Sequence, residues 1–349
     1  MAKNVSKNSL VKVTTSAAPD LIKQVLKAKL VPMLHGSPGI GKSSISKQIA
    51  ESANLKVIDL RLSQCDPTDL SGFPFVNKES KKAGYVPMDT FPVKGDSIPD
   101  GYKGWLLLLD EFNSAPMAVQ TAAYKLILDR QVGQHDLHDN LYMIAAGNLE
   151  TDKAITNRLS TAMQSRLVHL EITLNYKDWL KWANQNKLDY RISSFINFKP
   201  EMLHKFDPEH NDYTFPCART WEFVSKLIDG ESTIDHLIPV IAGTIGKGAA
   251  AEFLSYVSVF KQLPDFNSIV QNPLSTIVSD EPSVLFAITG LIANNVTKTN
   301  FDSVIQYLER LPIEFQTICL QNSISRCPEI ENKESFDNWL LSNSQEFIS

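Results

Sequence analysis

Gly36-Ser37-Pro38-Gly39-Ile40-Gly41-Lys42-Ser43 is the stretch on which the fold turns. It satisfies the pattern GxxxxGK[ST] in full, after an apolar run at 30–34 and before a helical pattern at 42–52. Glycines let the backbone bend so that several N–H groups point at one phosphate chain, with no side chains to block the approach. The N-terminus of the following helix adds the positive end of its dipole. In such a loop Gly36, Ser37, Pro38, Gly39, Ile40, Gly41 and Ser44 surround the phosphates. Lys42 reaches the β- and γ-phosphates, and the Ser43 hydroxyl ligates Mg²⁺.

Outward from the loop, short apolar runs alternate with helical stretches, which predicts a mostly parallel α/β sheet. Strands are expected at 30–34, 56–62, 105–109, 141–146 and 167–172, each nearly continuous in apolar residues, as burial on both faces requires. Helices are expected at 42–52, 117–129 and 157–164. Val119, Ala122, Ala123, Leu126 and Ile127 mark the apolar face of the second.

The run Trp105-Leu106-Leu107-Leu108-Leu109 ends in Asp110-Glu111. A strand that finishes on two carboxylates sets them at the carboxyl edge of the sheet, where open α/β sheets bind ligands. Asp110 is suited to hold Mg²⁺, directly or through its water, and Glu111 to orient and polarise an attacking water. Asn148 closes the fourth strand in Ala145-Ala146-Gly147-Asn148. Its amide suits the attacking water or the γ-phosphate, and Asn after Gly is equally ordinary turn chemistry. Arg158, Arg166 and Arg219 are the available guanidinium groups for transition-state charge, although pattern alone does not separate them from surface ion-pair formers.

The 77–104 stretch is long for a connection and rich in Pro, Gly and Lys, which reads as a functional insert or an elaboration of the fold. Phe73, Phe75, Tyr85 and Phe91 could line a pore that grips a polypeptide, or pack on their own domain. Lys78, Lys81 and Lys82 read as a solvated run. From about Asn175 the pattern turns helical, at 176–185, 220–229, 234–245 and 249–260, and beyond Pro264 it continues as helices interrupted by Pro273, Pro282, Pro312 and Pro328. Three regions are expected: 1–174 with the insert, 175–263, and 264–349.

A net charge of −5 argues against general electrostatic coating of nucleic acid. Four scattered cysteines lack zinc or disulfide spacing and fit a reducing cytoplasm, and no apolar run is long enough to span a bilayer. His35, His135 and His138 lack metal-site spacing and read as solvated loop residues.

The order of elements resembles an AAA+ ATPase of the MoxR-like, dynein-related group. The likeness rests on GSPGIGKS (36–43), RLSQCDPTDLSGFP (61–74), LLLLDEFNSAP (106–116), DRQVGQHDLHDNLYMIAAGN (129–148), NRLSTAMQSRLVHLEI (157–172) and ARTWEFVSKL (218–227). In overall style the chain resembles a bacteriophage or mobile-element member. The resemblance implies a five-stranded sheet in the order 5-1-4-3-2, a helical lid over 175–263, and ATP with Mg²⁺ as ligands. It makes Asn148 a sensor-1 residue and Arg219 a sensor-2 residue on the lid. Arg166 becomes an arginine finger offered to the ATP of the next subunit, and Arg158 receives no role. It further implies a homo-oligomeric ring, a hexamer, that spends ATP hydrolysis on remodelling a protein partner, such as one with a von Willebrand A-type domain. The 77–104 insert and the 264–349 tail fall outside the matching motifs. A nucleic-acid motor or loader and a slowly hydrolysing switch are the alternative readings.

Overall fold

In the computed structural model, the described residues are 10–348 apart from 80, 153–156, 158, 208, 210 and 211, with backbone only over 344–348. They fall into two compact units, Met1–Leu174 and Asn175–Ser349.

Among the described residues the first unit has ten strands: β1 (Lys12–Thr14), β2 (Val31–His35), β3 (Leu55–Arg61), β4 (Phe73–Asn77), β5 (Lys82–Val86), β6 (Gly104–Asp110), β7 (Gln131–Val132), β8 (His135–Asp136), β9 (Leu141–Gly147) and β10 (Leu167–Thr173). Six of them form one sheet in the order β1-β10-β2-β9-β6-β3, and every pairing within it is parallel. The five expected strands take the expected order, and the sheet is extended by one. β1 lies outside β10, so the sheet is six-stranded rather than five-stranded. Only Val13 of β1 is buried, which leaves no apolar run to announce it.

Helices α1 (Ala18–Lys27), α2 (Lys42–Ser52), α3 (Pro67–Ser71), α4 (Met117–Leu128) and α5 (Thr161–Gln164) complete this unit. Alternate strand residues serve the two faces. Leu106, Leu108, Leu34 and Ile144 pack with Ile22, Ile45 and Ile49, while Leu107, Leu109, Met33 and Met143 pack with Val119, Ala123 and Leu126. Leu106 to Leu109 are all fully buried, at about 1.5–3 kcal/mol for each leucine taken from water. Both faces are covered, and the strands therefore read as unbroken apolar runs.

Parallel strands bring their carboxyl ends to one edge. Register places Arg61 opposite Asp110 and His35 opposite Gly147, which gathers the ends of β2, β3, β6 and β9 there.

The long connection is ordered differently from a simple insert. It begins with an antiparallel hairpin, β4–β5, on which Phe73, Phe75 and Tyr85 are exposed. Phe91 is buried in the core and does not belong with those exposed aromatics. The helix expected over 157–164 is one turn, 161–164, begun by the Ser160 side chain, which accepts from Met163 N.

The second unit is helical. Phe195, Trp221, Phe253 and Tyr256 pack ring against ring, and residues from Ile269 to Trp339 form a further core. Pro282 opens the helix Pro282–Asn295, and Pro312 is the N-cap of Ile313–Arg326. These prolines start helices rather than interrupt them, because a first-turn residue needs no intrahelical N–H bond.

Candidate nucleotide site

The glycine loop joins β2 to α2. Gly39 and Gly41 take φ of 78° and 100°, left-handed values that favour glycine. Gly36 is needed for space: a Cβ there would stand 2.3 Å from Ile40 Cδ1 and 3.0 Å from the Ile172 carbonyl. Gly41 is the N-cap of α2 and no side chain caps that helix, which sets the positive end of its dipole at the loop.

Lys42 is buried, and its ammonium donates to the carbonyls of Gly36 (2.6 Å) and Ser37 (3.2 Å) and to Asn148 Oδ1 (3.2 Å). One turn of helix from the loop, Ser46 Oγ donates to the Lys42 carbonyl at 3.1 Å. Ser43 Oγ donates to Asp110 Oδ2 at 2.6 Å, while Asp110 Oδ1 accepts from Glu111 N at 2.8 Å. Two hard oxygen donors from different elements thus converge, the chemistry that Mg²⁺ selects. Glu111 adopts φ 56° and ψ 33°, left-handed for a non-glycine residue, at a cost of about 1 kcal/mol. In the 3-10 turn Leu62–Gln64 that follows β3, Ser63 Oγ donates to Glu111 Oε2.

Asn148 is clasped through its backbone. Asn113 Nδ2 donates to the Asn148 carbonyl at 2.8 Å, and Asn148 N donates to Asn113 Oδ1 at 3.1 Å. Gly147 makes room for the clasp. Asn157 ties the same corner, donating from its backbone to the Asn113 carbonyl and from Nδ2 to the Ala115 carbonyl. The structure therefore unites Lys42, Ser43, Asp110, Glu111 and Asn148 at the sheet edge, with Ser44 exposed on the first turn of α2.

His35 does not lie in solvent as a loop histidine. It ends β2 and is half-buried against His169 of β10, with ring centroids 5.2 Å apart. Burial, then the neighbouring His169 and Lys42, hold its pKa down to about 4. His135 is exposed on β8, and His138 meets the Trp105 ring edge-on at 4.9 Å.

No family model matches this chain, and neither does any curated protein. Three of the solved structures to which it is similar illustrate the likeness. A candidate ATPase from Cytophaga hutchinsonii is 14% identical, covering 88% of this chain and 79% of that one at a TM-score of 0.37. A RuvB variant from Thermotoga maritima is 18% identical, covering 75% and 77% at 0.37. NtrX from Brucella abortus is 14% identical, covering 82% and 69% at 0.38. Likeness of this size leaves the functional argument to the site itself.

Arg166 follows α5 and is exposed; its Nη1 donates to the Ala162 carbonyl at 2.6 Å, and its guanidinium lies 5.2 Å from the Tyr124 ring centroid. Arg219 is exposed on the first turn of the helix Ala218–Leu227 in the second unit. Arg158 lies outside the described residues. Two members of the site escaped the sequence reading. Ser63 and Asn113 are single polar residues in no recognisable spacing, although Asn113 sits two residues beyond the acidic pair.

No described helix is long and apolar enough to cross a membrane.

Proposed function

We propose that the chain is an ATP hydrolase that works as a ring and spends hydrolysis on remodelling a protein partner. One observation carries the reading: a glycine loop, its lysine, a serine–aspartate pair and a glutamate converge at one sheet edge. Lys42 exchanges its loop carbonyls for β- and γ-phosphate oxygens. Ser43 and Asp110 hold Mg²⁺, which when bound neutralises charge on the phosphates. Glu111 orients the attacking water, and Asn148, fixed by Asn113, positions its amide toward the γ-phosphate. Ser63 sets the rotamer of Glu111 and occupies one of its lone pairs, so Glu111 works through Oε1 or after Ser63 lets go.

Arg219 reaches the nucleotide of its own subunit from a helical lid, 175–263, followed by an extension at 264–349. Arg166, exposed and outside the cluster, serves the site of the next subunit, and a hexamer is the assembly we assign. A von Willebrand A-type protein is the class of partner that the sequence resemblance suggests.

Glu111→Gln should retain ATP binding and lose turnover by about 100-fold or more. Turnover at the wild-type rate would remove Glu111 from the mechanism. Mixing Lys42→Ala subunits with Arg166→Ala subunits should restore activity at interfaces that pair two intact halves. Absence of recovery at every ratio counts against a shared site.

A further inference from the structure

His35 and His169 lie between the phosphate loop and Arg166, and the mechanism above uses neither. His35 directly precedes Gly36, and His169 lies three residues beyond Arg166. Their rings stack at an interplanar angle of 25°, and His35 Nε2 is 2.9 Å from His169 Nδ1. His169 Nε2 is 2.9 Å from the carbonyl oxygen of Gln164, the last residue of α5.

The acceptor at the far end sets the direction of both bonds. A carbonyl only accepts, so His169 Nε2 must carry a proton. In neutral His169 the bare Nδ1 then accepts, and His35 Nε2 is the donor. The depressed pKa of His35 agrees with a neutral first ring. The chain runs from the strand that opens the phosphate loop to the carboxyl end of α5. Arg166 is held by that same turn, through its backbone N–H on the Met163 carbonyl and its Nη1 on the Ala162 carbonyl.

We propose that His35 and His169 are positioning residues that couple the phosphate loop to the pose of Arg166. His169 clamps the end of α5 with one nitrogen and takes its reference from the loop strand with the other. A shift of the loop on nucleotide binding then moves the guanidinium that this subunit offers to its neighbour. The inference rests on the reading of Arg166 as a group acting in trans.

The test is His169→Ala in the full chain, with His169→Gln as the conservative variant, since a carboxamide can both donate to Gln164 and accept from His35. His169→Ala should lower kcat on the order of 10–100-fold, the cost of a misplacement near 1 Å, with KM little changed, and His169→Gln should recover most of the loss. Mixed with Lys42→Ala subunits, His169→Ala should recover activity as Arg166→Ala does. Unchanged kcat, a loss carried mainly by KM, or recovery only with Arg166→Ala subunits overturns the relay. If the wild type lacks turnover, or Arg166→Ala is fully active, the proposed function fails first. The relay is then decided by ring ¹⁵N resonances in histidine-labelled protein, a tractable count at seven histidines. His169 signals that ignore added ATP refute it, and signals that shift with His35 sustain it.

Discussion

A methyl group placed on Gly147 would stand 2.3 Å from Asn113 Oδ1 and 2.7 Å from Met33 Cε. Met33 can swing its terminal methyl aside. Asn113 cannot yield as easily, because it is only 4% exposed and its amide holds both backbone groups of Asn148. Gly147→Ala therefore forces Asn113 off its partner. Two neutral hydrogen bonds at about 1 kcal/mol each are lost, and local overpacking adds about 1–2 kcal/mol. The expected destabilisation is about 3–4 kcal/mol, with ATP turnover falling further than stability alone explains, since Asn148 loses its place beside Lys42. Urea denaturation of wild type, Gly147→Ala, Asn113→Ala and the double variant gives the measurement as a double-mutant cycle. If the clash is with Asn113, Gly147→Ala should cost less than about 1 kcal/mol once Asn113 is alanine. Simple additivity of the two costs would refute the reasoning.

Two further predictions concern stability. His35 has its folded pKa lowered to about 4 from 6.5, so the unfolded chain binds the extra proton between those values. The stability is present above about pH 6.5 and is lost as pH falls toward 4, by about 3 kcal/mol at 1.36 kcal/mol per unit. Denaturation midpoints should fall more steeply with acid in wild type than in His35→Gln; parallel curves would exclude His35 as the cause. In the second unit, Arg191 and Asp189 form an ion pair at 2.6 Å with side chains 8% and 11% exposed. Asp189→Ala strands the guanidinium and removes the acceptor that caps the helix Tyr190–Phe198, and it should destabilise this unit by about 3–5 kcal/mol in a urea titration. A loss below about 1 kcal/mol would show that the carbonyls of Ile228 and Glu231 suffice to hold Arg191.

What the sequence disclosed follows from how each feature is encoded. β6 and β9 were legible to within a residue because burial on both faces demands unbroken apolar runs. The start of α2 was legible because the glycine loop itself is the helix start. β1 was not, since a three-residue edge strand with one buried side chain has no period to detect. Phe91 and Phe73 look alike in sequence, and only tertiary packing separates the buried ring from the exposed one. Ser63 and Asn113 act through the partner that the fold brings to them, Glu111 in one case and Asn148 in the other. His35 was misread because its burial partner lies 134 residues away.

β1 deserves a practical reading. It pairs with β10 through Lys12, Val13 and Thr14, Thr173 Oγ1 donates to the Val13 carbonyl, and Glu171 N donates to the Val11 carbonyl. β10 is therefore an interior strand. Trimming the chain past residue 14 to aid crystallisation would convert it into an open edge, with free amides able to recruit another molecule. A shortened protein that clumps, or that turns over ATP poorly, would then report on the cut and not on the native protein.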